Sequence, residues 1–393
     1  MNSTKRNVGL LAGCQAMLMS NNSSLIAING LAGLALAPLK GLATLPVTSY
    51  VIGAAASTML ASFHMKRVGR RRGLEFGTAW SVAGALICAL AVWQQAFWLL
   101  CLGSLVLGVY NAYGQYYRFA AADVATPDFR ATAISLVLAG GLAGGILGPT
   151  LTRATLDAVG PHFAGAYLTL IVFAVVTFGL LHFLQVPTPT AYERTVSGRP
   201  LSEIAAQPAF LVAVLSAAIG YGVMNFLMVS TPIAMQVCGH PFGDAAFVIS
   251  SHVIGMFAPS FFTGPLIRRF GTLPVMFAGA VLNFAAIAVA LSGISVPQFW
   301  AALVLLGVGW NFLYIGGTTL LTTTYRPEER AKVQGANDQT IFIVMAISSF
   351  TSGMTVTGAG WERVNLAALP LVAVVALAIL GYAIHSRRKV SPA

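Results

Sequence analysis

The sequence predicts an all-α membrane protein, with twelve transmembrane helices arranged as two pseudo-symmetric six-helix bundles. Three observations carry that reading. The first is composition: 57% of the 393 residues are hydrophobic and only 8% are charged, where a water-soluble domain carries roughly 25% charged residues. The second is the division of the chain into mostly apolar runs at about 8–33, 42–64, 74–94, 97–121, 131–154, 163–186, 209–236, 245–267, 273–292, 297–324, 332–356 and 366–385. Each is near the ~20 residues that a helix needs to cross the hydrocarbon while satisfying its own backbone hydrogen bonds. The third is duplication. Asn111, Pro127, Arg130 and Ala131 recur 200 residues later as Asn311, Pro327, Arg330 and Ala331, each time where one hydrophobic run ends and another begins. Two like halves can hold a site on the axis between them and expose it to each side of a membrane in turn.

The first run follows Lys5 and Arg6. It is long, polar inside and without a small-residue cleavage site, so it reads as a transmembrane helix and not a signal peptide. The Asn-x-Ser patterns at Asn21 and Asn22 fall within it and read as membrane-buried polar groups. After the sixth run comes the one long polar interval, with Glu193, Arg194, Arg199 and Glu203. It divides the chain into an N-terminal bundle (1–186), a linker (187–208) and a C-terminal bundle (209–393). With the N-terminus inside, all but four of the 22 basic residues fall on the cytoplasmic side; Lys40 and Arg363 lie in outer loops, and Arg118 and Arg153 within helices. The positive-inside rule then places both termini in the cytoplasm, for a multi-pass protein of a bacterial inner membrane. The net charge of +11 is explained by topology and anionic lipid, with no need of nucleic acid. Cys14, Cys88, Cys101 and Cys238 have no paired spacing and imply neither disulfide framework nor metal site.

The loop after the second run reads Ser62-Phe-His-Met-Lys-Arg-Val-Gly-Arg-Arg-Arg72, with an echo in the second half, Gly264-Pro-Leu-Ile-Arg-Arg-Phe-Gly271. Together with the six-plus-six organisation, this resembles the major facilitator superfamily over the whole chain. The family's loop signature, Gly-x-x-x-Asp-Arg-x-Gly-Arg-Arg-Arg, keeps its Arg-x-Gly turn here, but its acid is replaced by Lys66 in one copy and Arg268 in the other. The resemblance implies an inner gate at these loops, with Arg67, Arg70 and Arg269 as gating residues. It also places Asp123 near the basic loop, either in the part of the missing acid or as a static ion pair. Gly140, Gly144, Gly148 and Pro149 in the fifth run resemble the Gly-Pro motif of exporters and antiporters in this superfamily. Small residues at every fourth position equally serve close helix packing.

In this family the first, fourth, seventh and tenth helices line the central cavity. Polar residues are costly against lipid and should face the interior. Asn111, Gln115 and Arg118 stand at i, i+4 and i+7 on the fourth run, and Gln15, Asn22 and Asn29 are seven apart on the first. The seventh offers Tyr221 and Asn225, and the tenth Trp310, Asn311, Tyr314 and Thr318. The expected substrate-binding set is Asn22, Asn111, Gln115, Arg118, Tyr221, Asn225, Trp310, Asn311 and Tyr314. Arg118 is always charged and demands a carboxylate, a wet cavity or an anionic ligand. It reads either as a structural residue held by Asp123 or by backbone carbonyls, or as a substrate contact. The asparagines and glutamine alternatively bond helix to helix, and the aromatics alternatively pack.

Coupling to protons needs a titratable group. Candidates are Asp338, Asp123, His252 and the Arg153/Asp157 pair; Asp338, near the start of the eleventh run, reads alternatively as a capping acid, and His252 as a helix contact. No His-Glu-x-x-His, Cys-x-x-Cys or phosphate-binding loop is present, so no enzyme, cofactor or metal is expected. The expectation is a monomeric secondary transporter for a small organic solute of aromatic or anionic character, proton-coupled by family inference, with export favoured. Import of a vitamin or organic anion, and a transporter-like sensor, are the alternatives.

Overall fold

The computed structural model describes residues 3–39, 42, 44–188 and 190–390, without the side chains of 194, 242, 357 and 387–390. Lys40 and the side chains of Arg194, Arg387, Arg388 and Lys389 therefore lie outside the described residues. The architecture is all-helical: α1 (Ser3–Leu36), α2 (Leu45–Val68), α3 (Arg70–Trp93), α4 (Phe97–Gly114), α5 (Tyr117–Val124), α6 (Pro127–Thr155), α7 (Ala164–His182), α8 (Ala191–Thr195), α9 (Leu201–Ala205), α10 (Pro208–Val237), α11 (Phe242–Phe257), α12 (Ser260–Phe270), α13 (Thr272–Leu291), α14 (Val296–Leu321) and α15 (Arg330–Val390).

Local chemistry explains the boundaries. Proline opens α6 and α10, where its missing N–H costs nothing. Capping boxes start α8 (Thr190, Glu193) and α14 (Ser295, Gln298). Gly69 and Gly271 both sit at φ 90° between consecutive helices, so the Arg-x-Gly turn has one geometry in both repeats, one that a residue with a Cβ adopts only under strain. Four runs depart from a single straight helix. The fourth breaks at Gln115–Tyr116 into α4 and α5, and the eighth breaks at Ala258–Pro259 into α11 and α12. The eleventh and twelfth are joined in α15, interrupted only at Gly360, φ 78°.

Among the described residues, eleven helical segments are long and apolar enough to span a membrane. The twelfth predicted span, α1, is long enough at 34 residues but too polar, because Gln15, Ser20, Asn21, Asn22, Ser24 and Asn29 lie within it. All six are buried. Asn21 donates to Ser81 at 2.9 Å and Asn29 to Ser104 at 3.0 Å, so the helix carries its polar groups into protein and not into lipid. Large apolar side chains such as Leu60, Trp98, Val175 and Leu377 are exposed instead.

The chain forms two compact units. Unit 1 holds the residues up to Thr126, Leu136–Gly198 and Pro327–Gln339; unit 2 holds Pro127–Ser135, Arg199–Arg326 and the chain from Thr340. The first turns of α6 thus belong to unit 2, and the first turns of α15 to unit 1. In unit 1 the core joins Leu25 and Ile28 of α1, Tyr50 of α2, Cys88 of α3, Leu107 of α4 and Tyr167 of α7.

Candidate functional site

Unit 1 contains a continuous buried polar chain. At its centre the α4–α5 break turns the backbone tightly, with Gln115 N–H on the Asn111 carbonyl (3.1 Å) and Tyr116 N–H on that of Tyr113 (3.1 Å). Arg118, only 2% exposed, donates from Nη1 to the Gln115 carbonyl (2.9 Å) and to Gln115 Oε1 (3.2 Å), and from Nη2 to Asp338 Oδ1. Gln115 Nε2 donates to Asn111 Oδ1 at 3.1 Å, and Asn22 Nδ2 to the same oxygen at 3.0 Å. Tyr50 closes the series by donating to Asn22 Oδ1 at 2.5 Å. The structure thus brings together Asn22, Asn111, Gln115, Arg118 and Asp338.

Two expectations change here. The carboxylate that holds Arg118 is Asp338, not Asp123. Nor is Asp338 a capping acid, because α15 begins at Arg330 and the first turn contains no acid. Asp338 is 1% exposed. Its Oδ1 also accepts from Asn337 Nδ2 at 2.8 Å, while its buried Oδ2 has no hydrogen-bond partner among the described residues. An acceptor left so, at a typical cost of about 1–3 kcal/mol, is a place for a proton or a donor.

A second cluster lies nearby in unit 1. Asp123 accepts from Arg70 Nε at 3.0 Å and lies 3.3 Å from Arg330 Nη1. Arg70, turned inward by the Gly69 bend, also donates to Gln334 Oε1. Ser62 Oγ donates to the Ala331 carbonyl at 2.8 Å. Lys66, at the position of the family's acid, donates to the Val196 carbonyl at 2.8 Å, and Lys332 to the Ser197 carbonyl. The chain at 196–197 is thereby tied to α2 and to the first turn of α15. Lys66, Arg70, Asp123, Glu193 and Arg330 line a cavity of about 180 Å³. Arg67 and Arg269 are exposed.

In unit 2 the aromatic candidates form one group. Trp310 and Tyr314 stack at 4.9 Å with 15° between their planes, and Tyr221 meets both edge-on at 5.3 and 5.6 Å. The Trp310 indole N–H is buried without a hydrogen-bond partner among the described residues. The two asparagines do other work. Asn311 donates to the Met256 carbonyl and to Ser260 Oγ, both at 2.6 Å, and accepts from Thr263 at 2.7 Å, which staples the break between α11 and α12. Asn225 donates to Ser348 (2.9 Å) and Ser349 (2.7 Å), tying α10 to α15. His252 is fully buried, with Nδ1 2.6 Å from the Leu303 carbonyl. Asp157 lies 2.5 Å from His162, on the exposed surface. Among the described residues, no group of three or more His, Cys, Asp or Glu could hold a metal.

The model of the Major Facilitator Superfamily matches residues 9–257 and 214–393. The chain belongs to that family. It is 40% identical over 381 residues to the riboflavin transporter RfnT of Brucella anthropi (strain ATCC 49188), covering 96% of this chain and 95% of that protein. It is 29% identical to YdeG of Bacillus subtilis (strain 168), an uncharacterized MFS-type transporter, over 82% of this chain and 79% of that one. Among solved structures it is similar to the transporter FucP in the outward conformation, with a TM-score of 0.80 at 17% identity, covering 96% of this chain and 99% of that one. That likeness concerns the fold. The protein is a multi-pass membrane transporter, not an enzyme.

In this facilitator the glycine stripe of α6 seats α1. A Cβ at Gly140 would meet the Ala12 carbonyl, one at Gly144 the Ala16 carbonyl and the Ser20 N–H, and one at Gly148 the Ser20 carbonyl. Pro149 follows inside the helix. The stripe is accounted for by close backbone approach and carries nothing about the direction of transport, so the antiporter reading has no support. Sequence reasoning missed Gln334 and Ser62. For Gln334 a signal existed: Gln334 and Asp338 are polar residues at i and i+4 in an apolar run, and both are buried. The partners of Ser62, Lys66 and Lys332 are backbone carbonyls, which leave no mark in a sequence.

Proposed function

We propose that this facilitator takes up riboflavin, or a closely related flavin, across the inner membrane by alternating access, with both termini cytoplasmic and the 187–208 linker joining two rocking six-helix bundles. The observation that carries the reading is the 40% identity, over 96% of the chain, to a riboflavin transporter. The site chemistry supports it. A flavin presents a flat, three-ring surface edged with carbonyl acceptors; Tyr221, Trp310 and Tyr314 supply flat aromatic faces, and the unpartnered Trp310 N–H supplies a donor. Arg118 and Asp338 serve coupling in this reading. A proton on Asp338 removes the charge that holds Arg118, and the first turns of α15 are then released from the remainder of unit 1.

The test is uptake of labelled riboflavin by bacterial cells that lack other riboflavin uptake, with and without a protonophore. Accumulation that the protonophore collapses and that Arg118→Ala abolishes, with insertion unchanged, is the expected result. Correctly inserted protein that moves no riboflavin overturns the substrate. Accumulation indifferent to the protonophore overturns the coupling alone.

A further inference from the structure

We propose that unit 1 holds a binding site for the phosphate headgroup of an anionic phospholipid, in a groove at the start of α3. The groove, of about 830 Å³, is walled on one side by Gly69, Arg70, Arg71, Arg72 and Glu75, and on the other by the segment from Leu184 to Thr188. That second wall is anchored: Asn7 Nδ2 donates to the Gln185 carbonyl at 2.5 Å, and Gln185 N–H donates back to Asn7 Oδ1 at 3.2 Å.

Charge argues for an anion. The three arginines occupy the first turn of a 24-residue helix that has no acid there and no side-chain cap at its N-terminus. Basic residues at this end oppose the helix dipole, and the first N–H groups add to the same positive field. The local acids do not balance it. Asp123 is shared by Arg70 and Arg330, and Glu75 is held by Arg71 Nε at 3.0 Å. Arg71 Nη2 reaches His182 Nδ1 at 3.4 Å, and among the described residues none pairs with Arg72. A phosphate oxygen pair matches a guanidinium fork.

Shape argues for a lipid as the source of that phosphate. Arg72, Phe76 and Trp80 stand at i, i+4 and i+8, one stripe running from the charged end of α3 toward its apolar middle. Phe76 is 46% exposed, Trp80 37%, and Phe183, which follows α7, 66%. Phe76 and Trp80 meet edge-on at 5.9 Å. A cation above exposed aromatic rings is the sequence of contacts that a headgroup, glycerol and acyl chain make on passing from interface to hydrocarbon. A free phosphate would use the arginines and leave the aromatic track idle. Because Arg70 lines the groove and also holds Asp123 and Gln334, the lipid would bear directly on the gating cluster.

The test measures retained lipid by native mass spectrometry, and thermal protection in detergent, using phosphatidylglycerol and phosphatidylcholine with identical chains, and inorganic phosphate. The expected result is retention of phosphatidylglycerol about tenfold above phosphatidylcholine, falling severalfold in Arg72→Gln and lost in Arg71→Gln/Arg72→Gln. Arg72→Gln leaves the Arg71–Glu75 pair intact, so it reports even if the double variant folds poorly. Equal retention of the two lipids, or unchanged preference in Arg72→Gln, overturns the site. Equal protection by inorganic phosphate replaces the lipid with a free anion and overturns the assignment of source.

Discussion

Removing one member of the Arg118–Asp338 pair should cost far more than removing both. Each side chain is 2% exposed, and the two form a direct ion pair within unit 1. Breaking such a buried pair from one side typically costs about 3–5 kcal/mol, because the remaining charge stays desolvated. At ~1.4 kcal/mol per power of ten, that is roughly two to four orders of magnitude in the unfolding equilibrium. The two single variants should differ. Asp338→Ala leaves a guanidinium that cannot lose its proton, hydrogen-bonded to the uncharged Gln115 carbonyl and Oε1. Arg118→Ala leaves a carboxyl group, which can be neutralised by binding a proton. Asp338→Ala is therefore the costlier change. The double variant Arg118→Met/Asp338→Leu replaces the pair by apolar groups of similar length and should recover most of the loss, since such exchanges are often neutral. The assay is a double-mutant cycle in mixed-micelle unfolding, closed with the matching single variants Arg118→Met and Asp338→Leu. Losses that simply add, with an interaction energy under about 0.5 kcal/mol, would falsify the pairing and with it the coupling role given to Asp338.

Gly144→Leu should prevent α1 from seating on α6 and yield little folded protein, checked by monodisperse yield; normal yield would show that the helices can separate without harm. Trp310→Phe and Tyr314→Leu, which keep bulk at two buried positions while removing the indole N–H and one flat ring, should weaken riboflavin affinity about tenfold while leaving thermal stability within a few degrees. Asn311→Ala should do the reverse, because its amide staples the α11–α12 break, and equal effects on affinity from all three would refute that division. Asp123→Lys, which places a third cation beside Arg70 and Arg330, should expose a cysteine placed at Ser62 to a water-soluble thiol reagent several times faster; an unchanged rate would remove Asp123 from the latch.

By itself the sequence determined the class of the protein. Apolar runs of span length, duplicated signatures and the paired Arg-x-Gly turns are local or periodic properties. Lipid enforces them, because an unpaired backbone group or a stray charge is costly in hydrocarbon wherever it falls. The same cost made the buried polar stripe of Asn111, Gln115 and Arg118 legible. Partners were another matter. Asn111 and Asn311 hold equivalent places in the repeat, yet Asn111 accepts two amide hydrogen bonds in the polar chain while Asn311 donates two to a broken helix. The difference arises because Pro259 breaks the neighbouring helix in one half, and α2 has no such break in the other. Only the tertiary structure paired Arg118 with a carboxylate 220 positions away and gave Lys66 a carbonyl in place of a carboxylate partner. A buried charge states in the sequence that it needs a counterpart; which one it receives depends on which helix ends the fold brings within a few ångströms.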